Sequence, residues 1–230
     1  MMNCARPARP SLRRTAAEFV ALLLPSTLPE FESTAPQDPA HGDGHAVLVL
    51  PPIFRGDGHT LYVRGFLAGL GYAAYGWNLG INVGPTARLI SGVAQCLARL
   101  SIEHGAVSVV GYSMGGLFAR LLAVRYPSRV RQVITVCSPI NQPARSVWIP
   151  LDPFLGFWQG VDLHALSAEI AAPLRVPSTC VYSRDDGIVS WASCRDPSGA
   201  AVNNVEVRGC HVAMGHNPET LRVLANCLAR

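Results

Sequence analysis

Residues 106–115, Ala106-Val-Ser-Val-Val-Gly-Tyr-Ser113-Met-Gly115, decide how this chain folds. The first five form an apolar run of strand length, and a helix is predicted soon afterwards, over residues 117–126. Between them, Gly111 to Gly115 match the pattern Gly-x-Ser-x-Gly. A sharp turn of this kind exposes the serine oxygen above a sheet and points the free N–H groups of the helix start at developing negative charge. The pattern therefore predicts a nucleophile at Ser113; the alternative is a glycine-rich turn whose serine has no chemical role.

Segments of strand and helix character alternate along most of the chain. Apolar runs of strand length lie at 46–50, 72–76, 106–110, 132–137, 178–182 and 204–208, and helical segments at 58–70, 85–100, 117–126 and from 218 onward. Continuous apolar strands that alternate with helices are typical of a sheet buried on both faces. The sequence predicts an α/β fold with a mostly parallel central sheet of about six strands flanked by helices.

The spacing of these segments indicates how the chain is divided. Residues 1–45 are predicted to form an N-terminal helix and linker, and residues 46–230 the main domain. Strands four and five are separated by about forty residues, more than an ordinary crossover needs. This insertion, about 139–176, contains the aromatic residues Trp148, Phe154, Phe157 and Trp158. We expect a short cap over a site at the carboxyl edge of the sheet; the alternative is an elaborate crossover with ordinary core aromatics.

Composition excludes several classes of protein. Hydrophobic residues are 49% and charged residues 15% of the 230 residues, against a typical charged share of about 25%, which argues against intrinsic disorder. No apolar run approaches the roughly 18 residues that an integral membrane segment needs. All 19 basic residues are scattered arginines, which argues against nucleic acid as a partner. The seven cysteines show no zinc-type spacing, so no metal site and a reduced compartment are expected.

The N-terminus resembles a secretory signal only superficially. Arginines precede an apolar stretch, but Glu18 interrupts that stretch, Pro25 ends it early, and no small-x-small cleavage site follows. An amphipathic helix over about 11–24, packed against the domain, is predicted instead. We expect a cytoplasmic location, with secretion or the periplasm as the alternative.

A nucleophilic serine needs a general base, and in chains with this turn the base follows the last strand. His211 lies three residues after the sixth predicted strand, in the loop 209–218 that precedes the final helix. His216 is the competing histidine. Because it lies next to the predicted start of the helix, it is better suited to cap that helix or to contact the base from behind.

The base needs an acid that orients it, and the acid is expected after the fifth strand. Asp185 and Asp186 are adjacent there. Asp186 is favoured because a turn glycine and an apolar Ile-Val pair follow it, whereas Asp185 is free to pair with Arg184 or face solvent. Asp162, on the predicted cap, is a third alternative.

Stabilisation of an oxyanion requires two N–H donors. One is expected from Met114, the residue after the serine, and the other from the loop after the first strand. Pro51 and Pro52 in that loop have no N–H. Ile53 is therefore the preferred second donor, with Phe54 as the alternative.

Together, the segments Val47–Ile53, Gly111–Gly115, Asp186–Val189 and Gly209–Pro218 resemble the α/β-hydrolase superfamily in its serine lipase and esterase branch. The resemblance implies Ser113 as nucleophile, His211 as general base and Asp186 as its partner, and it implies Ile53 and Met114 as oxyanion donors. It covers most of the chain from residue 46 onward. Where lipases of this type usually have His-Gly, this chain has Pro51-Pro52.

The implied reaction is hydrolysis of apolar acyl esters through an acyl-enzyme, with no metal and no cofactor. The substrate is a small-molecule or lipid ester, and Phe54, Trp148, Phe154 and Trp158 are the candidate substrate-binding residues. An acyltransferase that uses the same triad and a non-catalytic binding protein on this fold remain as alternatives, and the oligomeric state is open. Cys194 and Cys210, each beside one catalytic loop, are expected to be buried thiols, with a disulfide between them as the alternative.

Overall fold

The computed structural model describes residues 10–23, 42–141, 158, 160–198 and 202–230. Its centre is one six-stranded sheet, in which every neighbouring pair of strands is parallel. The strand order is β2-β1-β3-β4-β5-β6. The strands are β1 (Ala46–Leu50), β2 (Ala73–Gly76), β3 (Val107–Tyr112), β4 (Val130–Val136), β5 (Ser178–Tyr182) and β6 (Val202–Glu206). This sheet, with its helices, confirms the predicted α/β fold class.

Six α-helices are present among the described residues. They are α1 (Leu12–Leu23), α2 (Asp57–Gly69), α3 (Ala87–His104), α4 (Met114–Arg125), α5 (Leu163–Ala171) and α6 (Pro218–Leu228). Side-chain caps fix the starts of three of them, because the side chains of Thr86, Asp162 and Asn217 accept the otherwise unpaired N–H groups of α3, α5 and α6. No described helix is both long enough and apolar enough to cross a bilayer.

The core has two layers because the sheet is buried on both faces. Along β1, Val47 and Val49 pack in a cluster with residues of α2 and α6. Leu48 and Leu50 point to the other face and pack with residues of α3 and α4. Successive side chains of a strand alternate between faces, so each strand contributes to both layers.

The carboxyl ends of the strands lie together at one edge of the sheet. Leu50 pairs in register with Gly111, and Tyr112 with Val136. Val136 pairs in turn with Val181 on β5. The loops that follow β1, β3, β4, β5 and β6 therefore emerge side by side, and this edge carries the candidate site.

Several predicted boundaries are wrong; α3, for example, ends at His104 rather than near residue 100. Helix α4 begins at Met114 rather than at residue 117, because close packing against the sheet overrides the low helix propensity of Gly115 and Gly116. Strand β6 covers Val202–Glu206 rather than 204–208. It is a partly exposed edge strand that contains Asn203 and Asn204, so hydrophobic periodicity does not reveal its limits.

The terminal segment and the insertion are described in part. Helix α1 agrees with the helix predicted over 11–24, and most of the linker lies outside the described residues, as do Trp148, Phe154 and Phe157. Within the predicted insertion, the described part contains helix α5 and its cap Asp162, which were not predicted. The division of the chain at residue 45 remains a prediction.

Candidate active site

Ser113 occupies a strained turn between β3 and α4. Its backbone φ is 51° and ψ is −119°, a conformation that costs a non-glycine residue about 1–3 kcal/mol. Its N–H donates to the carbonyl of Val136 at 2.8 Å, and its own carbonyl accepts from the N–H of Gly116 at 3.0 Å. Surrounding structure thus holds the strained residue at the edge of the sheet.

The glycines of the pattern permit close approach of strand to helix. A Cβ atom on Gly111 would lie 2.4 Å from the carbonyl oxygen of Gly115, and one on Gly115 would lie 2.4 Å from the carbonyl oxygen of Leu50. Real Cβ atoms do not come this close, so side chains at either position would force the turn apart. The predicted turn is therefore present, and both glycines are needed for its packing.

Asp186 and His211 are brought together from separate loops. We call residues 183–190, after β5, the acid loop, and residues 207–217, after β6, the base loop. The Nδ1 atom of His211 lies 2.6 Å from Oδ2 of Asp186. The other carboxylate oxygen of Asp186 accepts the N–H groups of Ile188 at 2.8 Å and Val189 at 2.7 Å. If Nδ1 carries the proton of this bond, Nε2 is the basic nitrogen of the ring.

Two carboxylates raise the pKa of His211. Burial favours the neutral ring and acts to lower that pKa, but the charge and hydrogen bond of Asp186, with the charge of Glu18, outweigh it. Ser113 and His211 line the same cavity. Ser113 and His211, both among the described residues, make no hydrogen bond to each other. A hydrogen bond between a nucleophile and its base is often long in the free enzyme and tightens only when substrate is bound.

The competing acids and the competing histidine have other contacts. Asp185 lies 3.6 Å from Arg14, not against Arg184, which pairs with Glu206 at 3.1 Å. Asp162 caps α5.

His216 stacks on Tyr62 with ring centroids 4.7 Å apart. It does not cap α6, because Asn217 does so. The alternative in which His216 caps the final helix is therefore wrong.

A cavity of about 350 Å³ lies over Ser113. Its walls are mostly apolar and include Leu117, Leu121, Leu166, Ile170, Ile188 and Val189. Of the predicted substrate-binding residues, Phe54 and Trp158 line it, and Trp148 and Phe154 lie outside the described residues. The indole N–H of Trp158 also donates to the carbonyl of Val83 at 2.8 Å, so this ring is fixed as well as exposed to the cavity.

The loop after β1 presents one of the two predicted donors. The N–H of Phe54 donates to the carbonyl of Asn82 at 2.7 Å, which removes the alternative donor. The N–H of Ile53 makes no hydrogen bond within the described part of the chain, and that of Met114 is at the first turn of α4, where N–H groups have no partner in the helix. Both residues line the cavity beside Ser113.

Asn82 holds this loop in place, and sequence reasoning missed it. Its amide nitrogen donates to the carbonyl of Pro51 at 2.8 Å, and its amide oxygen accepts the N–H of Gly84 at 3.0 Å. Asn82 is fully buried. These bonds fix the loop that contains Pro51 and Pro52. A single asparagine in a turn-rich stretch gives no signal of such a role.

Cys137 lies beside the acid and base. Its sulfur, a carboxylate oxygen of Asp186 and a ring nitrogen of His211 all lie within 4.8 Å of one another. Burial and the nearby carboxylate raise the pKa of the Cys137 thiol well above its usual range. Metal binding needs the thiolate, and the His211 nitrogen nearest Asp186 is already hydrogen-bonded to it, so this trio does not fit a metal centre.

Three neighbouring groups complete the site. Cys194 and Cys210 are free thiols in the structure; Cys194 is buried, as expected, whereas Cys210 is only partly buried. His59 also lines the cavity. Burial, helped by the charges of Arg55, His216 and His211, lowers the pKa of His59 to about 4, so this ring is neutral at pH 7 and adds no positive charge beside the base.

Known proteins share this architecture. A family model described as the alpha/beta hydrolase fold matches residues 86–160, less than half of the chain. No curated protein matches the chain in sequence. One of two metagenome-derived lipolytic enzymes is similar with a TM-score of 0.63 and 14% identity, over 83% of this chain and 95% of that one.

Two lipases are similar to a comparable degree. For lipase B of Aspergillus fumigatus, the TM-score is 0.61 at 19% identity, over 84% of this chain and 55% of the lipase. For the monoacylglycerol lipase of Paleococcus ferrophilus, it is 0.59 at 13% identity, over 81% of this chain and 96% of that one. Identities this low establish a common fold, and the reaction has to follow from the site itself.

Proposed function

We propose that this chain, which has the α/β-hydrolase fold, is a serine carboxylic ester hydrolase of the esterase and lipase type. Its substrates are esters with apolar acyl groups. Ser113 is the nucleophile, His211 the general base and Asp186 the residue that orients the base. The observation that supports this function is the hydrogen bond between Asp186 and His211, whose ring lines the same cavity as the strained Ser113.

In the proposed reaction, the Ser113 oxygen attacks the ester carbonyl while Nε2 of His211 takes its proton. The N–H groups of Ile53 and Met114 stabilise the oxyanion of the tetrahedral intermediate. His211 then gives the proton to the departing alcohol, and an acyl-enzyme remains on Ser113. Water, activated by His211, attacks the acyl-enzyme and releases the acid. Asp186 stabilises the imidazolium that forms twice in each cycle.

The cavity supports an apolar acyl group as the recognised part of the substrate. Its walls are mostly apolar side chains, and the polar lining residues besides Ser113 and His211 are few, chiefly Arg55, His59 and Ser167. The lipolytic activity named for structural neighbours is consistent with this choice of substrate.

A fluorophosphonate probe tests the proposal directly. It should label the wild-type protein at Ser113, and Ser113→Ala should lose both labelling and ester hydrolysis, with activity falling by about 10⁴–10⁶-fold. The control is Ser11→Ala, a serine exposed at the start of α1, which should label normally. Absence of wild-type labelling would contradict the enzyme assignment and favour a binding protein.

A series of chromogenic esters of increasing acyl length then defines the substrate. Apolar acyl groups that fill the cavity should be hydrolysed faster than acetyl esters. Product analysis with an added alcohol or amine separates hydrolysis from acyl transfer, because a transferase forms the new ester or amide in place of the free acid.

A further inference from the structure

Glu18 is a buried carboxylate on α1, far in sequence from the catalytic loops. The residue is 1% exposed. Its Oε1 atom accepts the N–H of Gly187 at 2.9 Å and the N–H of His211 at 2.5 Å. Its Oε2 atom accepts the N–H of Val212 at 3.1 Å. One carboxylate therefore bonds the backbone of the acid loop and the backbone of the base loop.

Other contacts hold α1 against the acid loop. The hydroxyl of Thr15 donates to the carbonyl of Gly187 at 2.7 Å. A Cβ atom on Gly187 would lie 2.3 Å from the carbonyl oxygen of Arg14, so the loop and the helix backbone are in direct contact. The hydrogen bond from Thr15 and the three hydrogen bonds to Glu18 therefore fix the position of α1 relative to the acid loop and the base loop.

The chemistry of Glu18 makes these bonds strong. A buried carboxylate is costly unless donors surround it, and hydrogen bonds to a charged acceptor are about twice as strong as neutral ones. Asp186 precedes one bonded residue, Gly187, and His211 is itself another. Fixing these two backbone positions on one carboxylate fixes the distance between the two loops that supply the acid and the base.

We propose that Glu18 is a positioning residue of the active site. Helix α1 then belongs to that site, because its Glu18 holds the acid loop and the base loop at a fixed distance from each other. The kinetic consequences rest on the proposed function. The positioning itself does not, because it concerns the geometry of Asp186 and His211.

The charge of Glu18 also acts on the base. The titratable and charged groups that face His211 are Asp186 on the acid loop, Glu18 on α1, His59 on α2 and the thiol of Cys137 after β4. Of these, Asp186 and Glu18 raise the pKa of His211. Removing the Glu18 charge therefore lowers that pKa. Because the base must be neutral to act, the acid limb of the pH profile moves to lower pH.

Two substitutions at Glu18 separate geometry from charge. Glu18→Gln removes the charge and keeps an oxygen that can accept from Gly187 and His211, but its NH₂ group faces the N–H of Val212. Glu18→Ala removes all three bonds. We expect kcat/KM to fall by about 10–100-fold in Glu18→Ala, mostly because kcat falls, and to fall less in Glu18→Gln. For Glu18→Gln the acid limb of kcat/KM moves to lower pH.

Glu169→Gln is the matched control. Glu169 is a carboxylate on α5 that pairs with Arg125, away from the acid and base. This variant should keep the wild-type kinetics and pH profile. Thermal unfolding of each variant establishes that the fold is retained; if Glu18→Ala does not fold, Glu18→Gln carries the test.

A second readout does not depend on ester hydrolysis. In the Ser113→Ala background, NMR titration of the His211 ring should give a lower pKa with Glu18→Gln and an unchanged pKa with Glu169→Gln. If the wild type hydrolyses no ester, the proposed function is contradicted, but this titration still tests whether Glu18 acts on His211. If Glu18→Gln lowers thermal stability while the ring titration, kcat and pH profile stay as in the wild type, Glu18 is only structural and the inference is overturned.

Discussion

Two regions of the molecule bury charged side chains that link distant segments, and they do so differently. At the catalytic edge, Glu18 and Asp186 accept backbone N–H groups, and Asp186 also binds His211. Between α4 and α5, Arg120 is fully buried and pairs with Asp196 at 2.6 Å. In the part of the chain that the structure describes, no arginine is bonded to either carboxylate of the first region, whereas the second region holds a complete ion pair.

The environment of Arg120 completes its hydrogen bonding. Its Nε donates to the carbonyl of Ile170 at 2.6 Å, and one Nη donates to the carbonyl of Ala172 at 2.8 Å. These carbonyls belong to the C-terminal end of α5, where a positive charge is also favoured by the helix dipole. The hydrogen bonds to these carbonyls therefore fasten the end of α5 to α4, and the ion pair fastens α4 to the segment that contains Asp196.

This difference has a functional meaning. Negative charge next to His211 favours the imidazolium that the proposed reaction requires, whereas the charge of Arg120 is neutralised by Asp196. We therefore expect substitutions in the catalytic region to change activity and substitutions in the Arg120 region to change stability.

Among the substitutions that test this difference between the two regions, Asp186→Asn has the largest expected effect. The amide can still accept the N–H groups of Ile188 and Val189, but its NH₂ group would face Nδ1 of His211 and favour the wrong tautomer. We expect kcat to fall by about 10⁴-fold, while thermal unfolding changes little. Asp185→Asn is the control, because Asp185 is exposed and its side chain pairs, among the described residues, with Arg14 rather than with His211. A comparable loss of kcat in Asp186→Asn and Asp185→Asn would contradict the assignment of Asp186 as the partner of His211.

Arg120→Met should have its effect on stability. It leaves Asp196 buried without its cation and deprives two carbonyls of donors, so the free energy of unfolding should fall by about 3–5 kcal/mol. The measurement is denaturant unfolding, together with activity per folded molecule, which should stay within about tenfold of wild type.

Arg125→Met is the matched control for Arg120→Met. Arg125 lies on the same helix and pairs with Glu169 of the same α5, but at the surface, with side-chain exposures of 37% and 28%. Its loss should cost at most about 1 kcal/mol. If the two variants lose similar stability, burial is not what distinguishes Arg120.

The smallest expected effect is the pH dependence of stability, and it has opposite signs in the two regions. Burial acts to raise the pKa of Asp196, but hydrogen bonds from Ser198 and the charge of Arg120 outweigh it, and the pKa is lowered. A carboxyl group whose pKa is lower in the folded state stabilises the fold at pH values above its unfolded pKa of about 3.9. This stabilisation is lost as the pH falls through the folded pKa. Wild type should therefore lose stability below about pH 4 more steeply than Asp196→Asn.

His211 should contribute in the opposite direction. Because the pKa of His211 is raised in the folded state, protonation of this ring stabilises the fold at pH values below its unfolded pKa of about 6.5. This stabilisation is lost as the pH rises through the folded pKa. Unfolding of the wild type and of His211→Gln across pH 5–9 checks this. A stability difference that grows with rising pH would contradict the sign.

The fold and much of the candidate site could be predicted because their signals are local. The sharp turn at Ser113, the order of the strands along the chain and the loops that carry Asp186 and His211 each follow from a few adjacent residues. Edge strand β6 and the start of α4 were less predictable, since burial and close packing, not local propensity, determine their limits. The preference for Asp186 over Asp185 rested on the turn that follows it, and the structure places Asp186, not Asp185, against His211.

The sequence by itself determined the class of fold, the strained serine and the loops from which its partners come, because short-range periodicity, turn geometry and chain order encode these features. Only the tertiary structure decided what holds the loops in place. Glu18 and His211 are separated by 193 positions, and Arg120 and Asp196 by 76. No local pattern marks such pairs: a lone carboxylate on an amphipathic helix acquires its role only when folding brings buried N–H donors around it.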